Sequence, residues 1–271
     1  MLHKVTYLSN MKHVKYISKS FYFFFEFLLV TTQKQIKSQY KRVHLGFIWF
    51  FIYPVIQMIV IGFVITLFQK NTSITYFVSL YIGLIIWNTF NLTIQQTTTN
   101  IVANRMLIKK TLFPVEVLPL SICLTNFIQI CIPFALFLIY AGLNGSLSII
   151  IFLYLFLSLF MLFILTISVS LLTSSLYVKT RDVMYFTQAF LQLLFYATPI
   201  IYPLHLVPKN LLFLYNFNPL TSIIGLARLA ILKSDTLNIT LFISNIIIIL
   251  IFILLGYKIF QNQKKNFDDW L

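Results

Sequence analysis

The distribution of positive charge between long apolar segments constrains the fold of this chain more than any other feature. If the chain crosses a bilayer six times with both ends on one side, 16 of its 20 Lys and Arg residues face that side. The four on the opposite side are Lys70, Lys209, Arg228 and Lys233. Because loops rich in Lys and Arg stay in the cytoplasm, the pattern predicts a multi-pass protein of the bacterial inner membrane with cytoplasmic termini.

The overall composition is that of a membrane protein. Hydrophobic residues make up 59% of the chain, charged residues only 10%, and the mean hydropathy is +0.90. The net charge of +14 is spread over the predicted cytoplasmic loops, where it faces anionic lipid. We therefore expect membrane lipid as a partner and no nucleic acid.

Six apolar segments predict six transmembrane helices, since a span needs about 20 mostly apolar residues. The segments are 47–68, 76–94, 117–141, 147–172, 183–202 and 237–260. A seventh span before residue 232 would place Arg228 in the hydrocarbon, which is costly without a partner. Prolines also break that region, so it predicts re-entrant helices on the outer face, with Asn218 as an N-cap and Pro219 in the first turn.

The predicted fold is thus an all-α integral membrane bundle in a single domain, residues 1–271. Residues 1–46 form a cytoplasmic and interfacial segment, 47–260 the six-span bundle and 261–271 a cytoplasmic tail. From Phe21 onward the first segment has apolar residues at helical spacing, followed by basic ones, which predicts an amphipathic helix lying in the membrane interface. An ordinary basic tail beside the membrane is the alternative.

The sequence has few groups that could do chemistry inside the membrane. All six acidic residues lie in predicted loops or tails, the four histidines have no metal-ligand spacing, and the seven glycines form no phosphate-binding loop. We expect no catalytic residue, no metal site and no cofactor in this chain. A transporter of this kind must take its energy from another polypeptide.

Uncharged polar residues recur on defined faces of the predicted spans. In the fifth span four of them follow one helical stripe: Tyr185, Gln188, Gln192 and Tyr196. The second span has Asn88, Asn91 and Gln95 at similar spacing, and the first has Gln57. Such residues either hold neighbouring helices together or line a channel for a polar, uncharged polymer such as a sugar chain.

Four segments, taken in order, resemble the permease subunits of type-two ABC exporters that move O-antigen, capsule or teichoic acid. These are residues 40–49, residues 104–119, Arg181-Asp182 with residues 196–202, and Asn218-Pro219 with Arg228. The set covers nearly the whole chain. Gly225 stands where that family often has Glu, so no ion pair is assigned to Arg228.

The resemblance implies a homodimer of this permease with two copies of a separate ATPase, which would bind ATP and Mg. The substrate would be a polyprenyl-pyrophosphate-linked glycan, exported through a channel between the permeases. A permease of the same fold that exports a drug or small lipid is one alternative. A membrane enzyme acting on polyprenyl-linked sugars is another, with Asp182 as its single candidate residue.

The resemblance also assigns roles to residues of this sequence. The ATPase-coupling loop would contain Asn104, Arg105, Lys109, Lys110, Phe113, Pro114 and Glu116. The substrate entrance would contain Tyr40, Lys41, Arg42, Leu45, Gly46 and Trp49. The channel lining would be Tyr185, Gln188, Gln192 and Tyr196, and the outer gate Pro199, Tyr202, Asn218, Pro219 and Arg228.

Two of these assignments carry a physical expectation of their own. Pro114 can begin a helix whose first turn holds Glu116, a favourable place for a carboxylate. Tyr40, Lys41 and Arg42 would meet the pyrophosphate of a substrate that approaches from the cytoplasmic leaflet, because cations suit that charge.

Overall fold

The described part of the chain is helical and contains no strand. The computed structural model describes residues 22–41, 46–68, 73–110, 114–143, 148–232 and 239–270. Its helices are α1 (residues 22–40), α2 (Trp49–Phe68), α3 (Ile74–Ala103), α4 (Arg105–Lys110), α5 (Val117–Leu143), α6 (Ile149–Lys179), α7 (Val183–Ala197), α8 (Leu212–Tyr215), α9 (Pro219–Leu232), α10 (Ile239–Lys264) and α11 (Phe267–Trp270).

Five of these helices are long and apolar enough to cross a membrane: α2, α3, α5, α6 and α10. The all-helical membrane fold predicted from the sequence is therefore confirmed in outline. The fifth predicted span is shorter than expected, because α7 has 15 residues and reaches about 22 Å, against about 30 Å of hydrocarbon. The six-span arrangement with re-entrant helices stays a prediction.

The helix α7 ends at Ala197 and does not continue to residue 202 as the sequence pattern predicted. Thr198, which precedes Pro199, has an extended backbone with φ −97° and ψ 139°. A residue before proline is pushed out of the helical region by the proline ring. The chain then passes through short helical turns before α9 begins at Pro219.

The centre of the bundle is formed by α3 and α6. The helix α6 packs against α3, α5, α7, α9 and α10, and α3 contacts α2, α5, α7 and α9. Buried threonines on α3 donate their hydroxyl protons to carbonyls one turn earlier, as Thr93 does to Thr89 at 2.6 Å and Thr97 to Thr93 at 2.9 Å. Small hydroxyl residues thus fill the core while their polar groups stay paired within the helix.

The predicted amphipathic N-terminal helix is present as α1. It exposes Tyr22 and Phe23 and buries Leu28 and Thr32. Phe21, where the pattern began, lies outside the described residues. The position of α1 in the membrane interface stays a prediction.

The helices α10 and α6 approach each other closely at Gly256 of α10. A Cβ added there would collide with the main-chain carbonyl oxygen of Ser168 on α6. We expect Gly256→Ala to force α10 away from α6 and to lower the stability by about 1–3 kcal/mol. The measurement is the melting temperature of the purified protein in detergent.

A matched control is Gly225→Ala on α9, where a Cβ would meet nothing within 4 Å. This change should leave the melting temperature the same or raise it, because Ala favours a helix over Gly. Equal stability of the two variants would show that α6 and α10 are not packed as described.

Candidate functional site

A cavity of about 590 Å³ opens between α1, α2, α3 and α5. Its lining combines amides, aromatic rings and a few aliphatic side chains: Gln39, Tyr40, Trp49, Phe50, Tyr53, Pro54, Ile85, Asn88, Asn91, Leu92, Gln95, Gln96 and Gln129. None of these described lining residues carries a charge. The volume lies within the range of roughly 300–1,000 Å³ that is typical of ligand pockets.

Amides of α2 and α3 form hydrogen bonds along one side of this cavity. Asn88 donates to the Gln57 side-chain oxygen at 2.7 Å, and Gln57 donates to the Tyr53 hydroxyl at 3.2 Å. One turn further along α3, Gln95 donates to Asn91 at 2.8 Å. Asn88 thus joins α3 to α2, Gln95 and Asn91 pair within α3, and all three residues line the cavity.

The opposite side of the cavity links α1 to the membrane bundle. Gln129 of α5 is 3% exposed and donates to the Gln39 side-chain oxygen of α1 at 2.7 Å. Asn126, one turn earlier on α5, donates to Thr93 and Gln96 of α3, both at 3.0 Å. Sequence reasoning missed Gln39, Asn126 and Gln129. The signal for Asn126 and Gln129 is the presence of two amides within an otherwise apolar segment.

The structure places two residues of the predicted substrate entrance, Tyr40 and Trp49, in the lining of this cavity. Burial raises the pKa of the Tyr40 phenol, so it stays neutral. Gly46 has a φ of +48°, which L-residues with side chains rarely adopt, and it begins the turn that leads into α2. Lys41 is exposed outside the lining, and Arg42 and Leu45 lie outside the described residues.

The four polar residues of α7 share one exposed face. Tyr185 and Tyr196 are 65% and 63% exposed, and Gln188 and Gln192 are exposed as well. The opposite face of α7 buries Thr187 and Leu191 against the bundle. The prediction that these four side chains share one face of a helix is therefore confirmed. Within one copy of the chain this face points away from the core.

Arg228 of α9 fixes the junction between α7 and α9, which we define as residues 198–218. Its side chain is 5% exposed and donates to three main-chain carbonyls: Pro199 at 2.8 Å, Ile200 at 2.8 Å and Ser79 at 3.3 Å. The Tyr76 hydroxyl donates to the next carbonyl, that of Ile201, at 3.0 Å. Three successive carbonyls that no helix satisfies are thus paired by side chains from α3 and α9.

The remaining predicted outer-gate residues meet in the same junction. Asn218 accepts from the Leu220 amide at 3.2 Å and donates to Thr198 at 2.9 Å, so it caps α9 as predicted, with Pro219 as the first helical residue. Tyr202 donates to the Tyr196 carbonyl at 3.0 Å. The Tyr202 hydroxyl also lies 2.8 Å from the Tyr215 hydroxyl, within hydrogen-bond distance.

The loop between α3 and α5 is attached to the end of α10. Asn104 caps the end of α3, and α4 follows it, with Arg105, Met106 and Lys109 exposed. The side chain of Lys110 and all of Phe113 lie outside the described residues. The expectation that Glu116 occupies the first turn of α5 is wrong, because Pro114, Val115 and Glu116 form a turn and α5 begins at Val117.

The Glu116 carboxylate instead binds two side chains of α10. It accepts from Lys264 at 2.7 Å and from Gln261 at 3.1 Å. A cluster of apolar side chains lies beside this contact and joins the same ends of α3, α5, α6, α10 and α11: Ile101, Val115, Leu118, Leu171, Val178, Phe260 and Phe267. The α3–α5 loop is therefore anchored to the last long helix.

The described residues offer little for catalysis. They contain no group of three or more His, Cys, Asp and Glu side chains that could hold a metal ion. Asp182 is exposed in the turn before α7 and makes no side-chain capping bond there. The arrangement is a helical bundle with an uncharged cavity lined by amides and aromatic rings, and with a polar stripe exposed on α7.

The chain belongs to the ABC-2 type transporter family, whose model matches residues 26–232. It is similar to the O-antigen export system permease protein RfbA of Klebsiella pneumoniae, at 30% identity over 256 residues, 92% of this chain and 96% of the relative. A permease of the same name from Myxococcus xanthus is 25% identical over 177 residues, 65% of this chain and 68% of the relative. The chain is thus a membrane-embedded transport subunit, and its family implies a partner ATPase.

The role of Arg228 can be tested by Arg228→Met. The change leaves the carbonyls of Ser79, Pro199 and Ile200 without these donors, and each buried unpaired carbonyl costs about 1–3 kcal/mol. We expect the melting temperature in detergent to fall by about 5 °C or more. The control is Arg181→Met, an exposed arginine that lies over the Tyr177 ring and should matter little. An unchanged melting temperature for Arg228→Met would contradict the role.

Proposed function

We propose that this chain is the permease subunit of an ATP-driven exporter that moves a polyprenyl-pyrophosphate-linked, O-antigen-like polysaccharide across the bacterial inner membrane. The observation that carries the proposal is the similarity to O-antigen export permeases over more than nine-tenths of this chain and of the relative. The uncharged cavity of amides and aromatic rings and the polar stripe of α7 agree with a neutral, hydroxyl-rich cargo.

The channel lies between two copies of the permease. Within one copy the α7 stripe of Tyr185, Gln188, Gln192 and Tyr196 faces away from the bundle. In lipid these polar groups would have no partners, whereas a second copy or a water-filled channel satisfies them. The stripe therefore supports a homodimer whose channel wall includes α7 from each subunit.

The energy comes from two copies of a separate ATPase, which bind ATP and Mg and dock on the cytoplasmic side. The α3–α5 loop is the coupling element in this proposal. The exposed residues of α4 form its docking surface, and the Glu116–Lys264 contact passes movement of the loop to α10. Both termini then lie in the cytoplasm, and the α7–α9 junction forms the outer gate.

The proposal is tested by purifying the tagged chain from its native host and identifying the proteins that come with it. An ATP-binding protein should co-purify, and ATP hydrolysis by the complex should change when lipid-linked glycan isolated from the same host is added. Purification without an ATPase, or hydrolysis that does not respond to lipid-linked glycan, would contradict the proposed function.

The coupling role of Glu116 is tested by exchanging charges. Glu116→Lys and Lys264→Glu each place like charges about 3 Å apart, a repulsion that should separate the α3–α5 loop from α10. We expect each single variant to lose most glycan-stimulated ATP hydrolysis while it still assembles with the ATPase.

The double variant Glu116→Lys with Lys264→Glu restores opposite charges and serves as the control. It should recover stimulation that both single variants have lost. Normal stimulation in the single variants, or no recovery in the double variant, would show that this ion pair does not couple the two subunits.

A further inference from the structure

The chemistry of the cavity lining identifies what can occupy it. Six of the thirteen lining residues are amides and four are aromatic: Gln39, Asn88, Asn91, Gln95, Gln96 and Gln129, with Tyr40, Trp49, Phe50 and Tyr53. An amide offers both donors and an acceptor, as a sugar hydroxyl does. An aromatic ring offers a flat apolar face of about the size of a sugar ring.

We infer that this cavity is a binding site, contained within one subunit, for a neutral sugar unit of the cargo. The inference rests on the proposed function for the identity of the cargo. It places sugar recognition at α1, α2, α3 and α5, apart from the α7 stripe that faces the second copy. Each permease subunit then holds one sugar unit before the glycan reaches the channel.

A pyrophosphate does not suit the same cavity. A doubly anionic group bound away from water needs cations or many amide donors aimed at it. The described lining has no Lys or Arg to balance that charge. We assign Tyr40 to the sugar site, whereas the role of Lys41 and Arg42 in binding pyrophosphate stays a prediction.

The lining presents both hydrogen-bonding groups and aromatic rings. Trp49 and Tyr53, which are 48% and 55% exposed, place aromatic surface at the mouth. A sugar ring combines the same two features, since its hydroxyls are polar and its ring face is apolar. The lining therefore matches an amphipathic ring.

Trp49 provides a fluorescence reporter for the test, because it lines the cavity. The purified permease in nanodiscs, without any ATPase, is titrated with two neutral disaccharides, di-N-acetylchitobiose and maltose. We expect at least one of them to shift the tryptophan emission in a saturable way, and the shift to disappear in Trp49→Phe. Saturation-transfer NMR on the same samples gives a second readout of binding.

The matched variants are Asn91→Leu and Gln95→Leu, with Gln33→Leu as the control. Gln33 is an exposed amide on α1 that does not line the cavity. Loss of one or two hydrogen bonds should weaken binding about threefold to tenfold in the first two variants. Gln33→Leu should bind as the unmodified protein does.

Three results would overturn the inference: no binding of either disaccharide by both methods, equal binding by all variants, or a Trp49 response to inorganic pyrophosphate that competes with the sugar. The test uses no ATPase, so its outcome is separate from that of the proposed function. Sugar binding without glycan-stimulated ATP hydrolysis would support this site and contradict the exporter role. Glycan-stimulated ATP hydrolysis without sugar binding would support the exporter role and contradict this site.

Discussion

Main-chain polar groups that are buried away from water must be paired within the protein, and this constraint governs the irregular junction between α7 and α9. The helix α7 stops at Ala197, and the carbonyls of Pro199, Ile200 and Ile201 have no helical partner. Arg228 and Tyr76 supply the missing donors from two other helices. Sequence reasoning treats Arg228 as costly within the hydrocarbon. In the structure Arg228 instead supplies the donors that allow the chain to leave the helical conformation after α7.

The position of α7 follows from this junction. Thr198 and Ile200 are buried where α7 ends, so the helix is held by its last turn and by Thr187 and Leu191. Its polar stripe is then directed away from the core. Uncharged polar side chains therefore occur in two separate places. The amides of α1, α2, α3 and α5 are largely paired with one another within one subunit, whereas the amides of α7 are exposed on the surface of that subunit. In the proposed dimer the amides of α7 become the wall of the channel.

Much of this fold follows from local pattern in the sequence. Length and hydropathy predicted the five long helices, helical spacing predicted the common face of Tyr185, Gln188, Gln192 and Tyr196, and the Asn-Pro pair predicted the cap of α9. Each depends on neighbours within a few turns. The sequence also held the information for the end of α7, since Pro199 restricts Thr198, but the apolar run continued past it and concealed the boundary.

Contacts between distant segments could not be predicted in the same way. Arg228 is paired with Ser79, 149 positions away, and Glu116 with Lys264, 148 positions away. A carboxylate after proline is favourable in a first helical turn, yet Glu116 lies before α5, and its carboxylate is bound there by Lys264 and Gln261 of α10. The cavity likewise combines four helices, and only its Tyr40, Trp49, Asn88, Asn91 and Gln95 had been singled out, as members of unrelated groups.

In the proposed dimer, α7 turns an uncharged polar face toward water or a second copy of the chain. Single cysteines at Gln188 and Gln192, in a protein whose Cys123 and Cys131 are replaced by alanine, test it in native membranes. A cysteine at Phe156, an exposed apolar position on α6, represents the lipid-facing surface. The two α7 cysteines should react with a water-soluble maleimide or cross-link between copies, while the cysteine at position 156 does neither. If all three positions are equally unreactive, α7 faces lipid and the proposed channel wall is wrong.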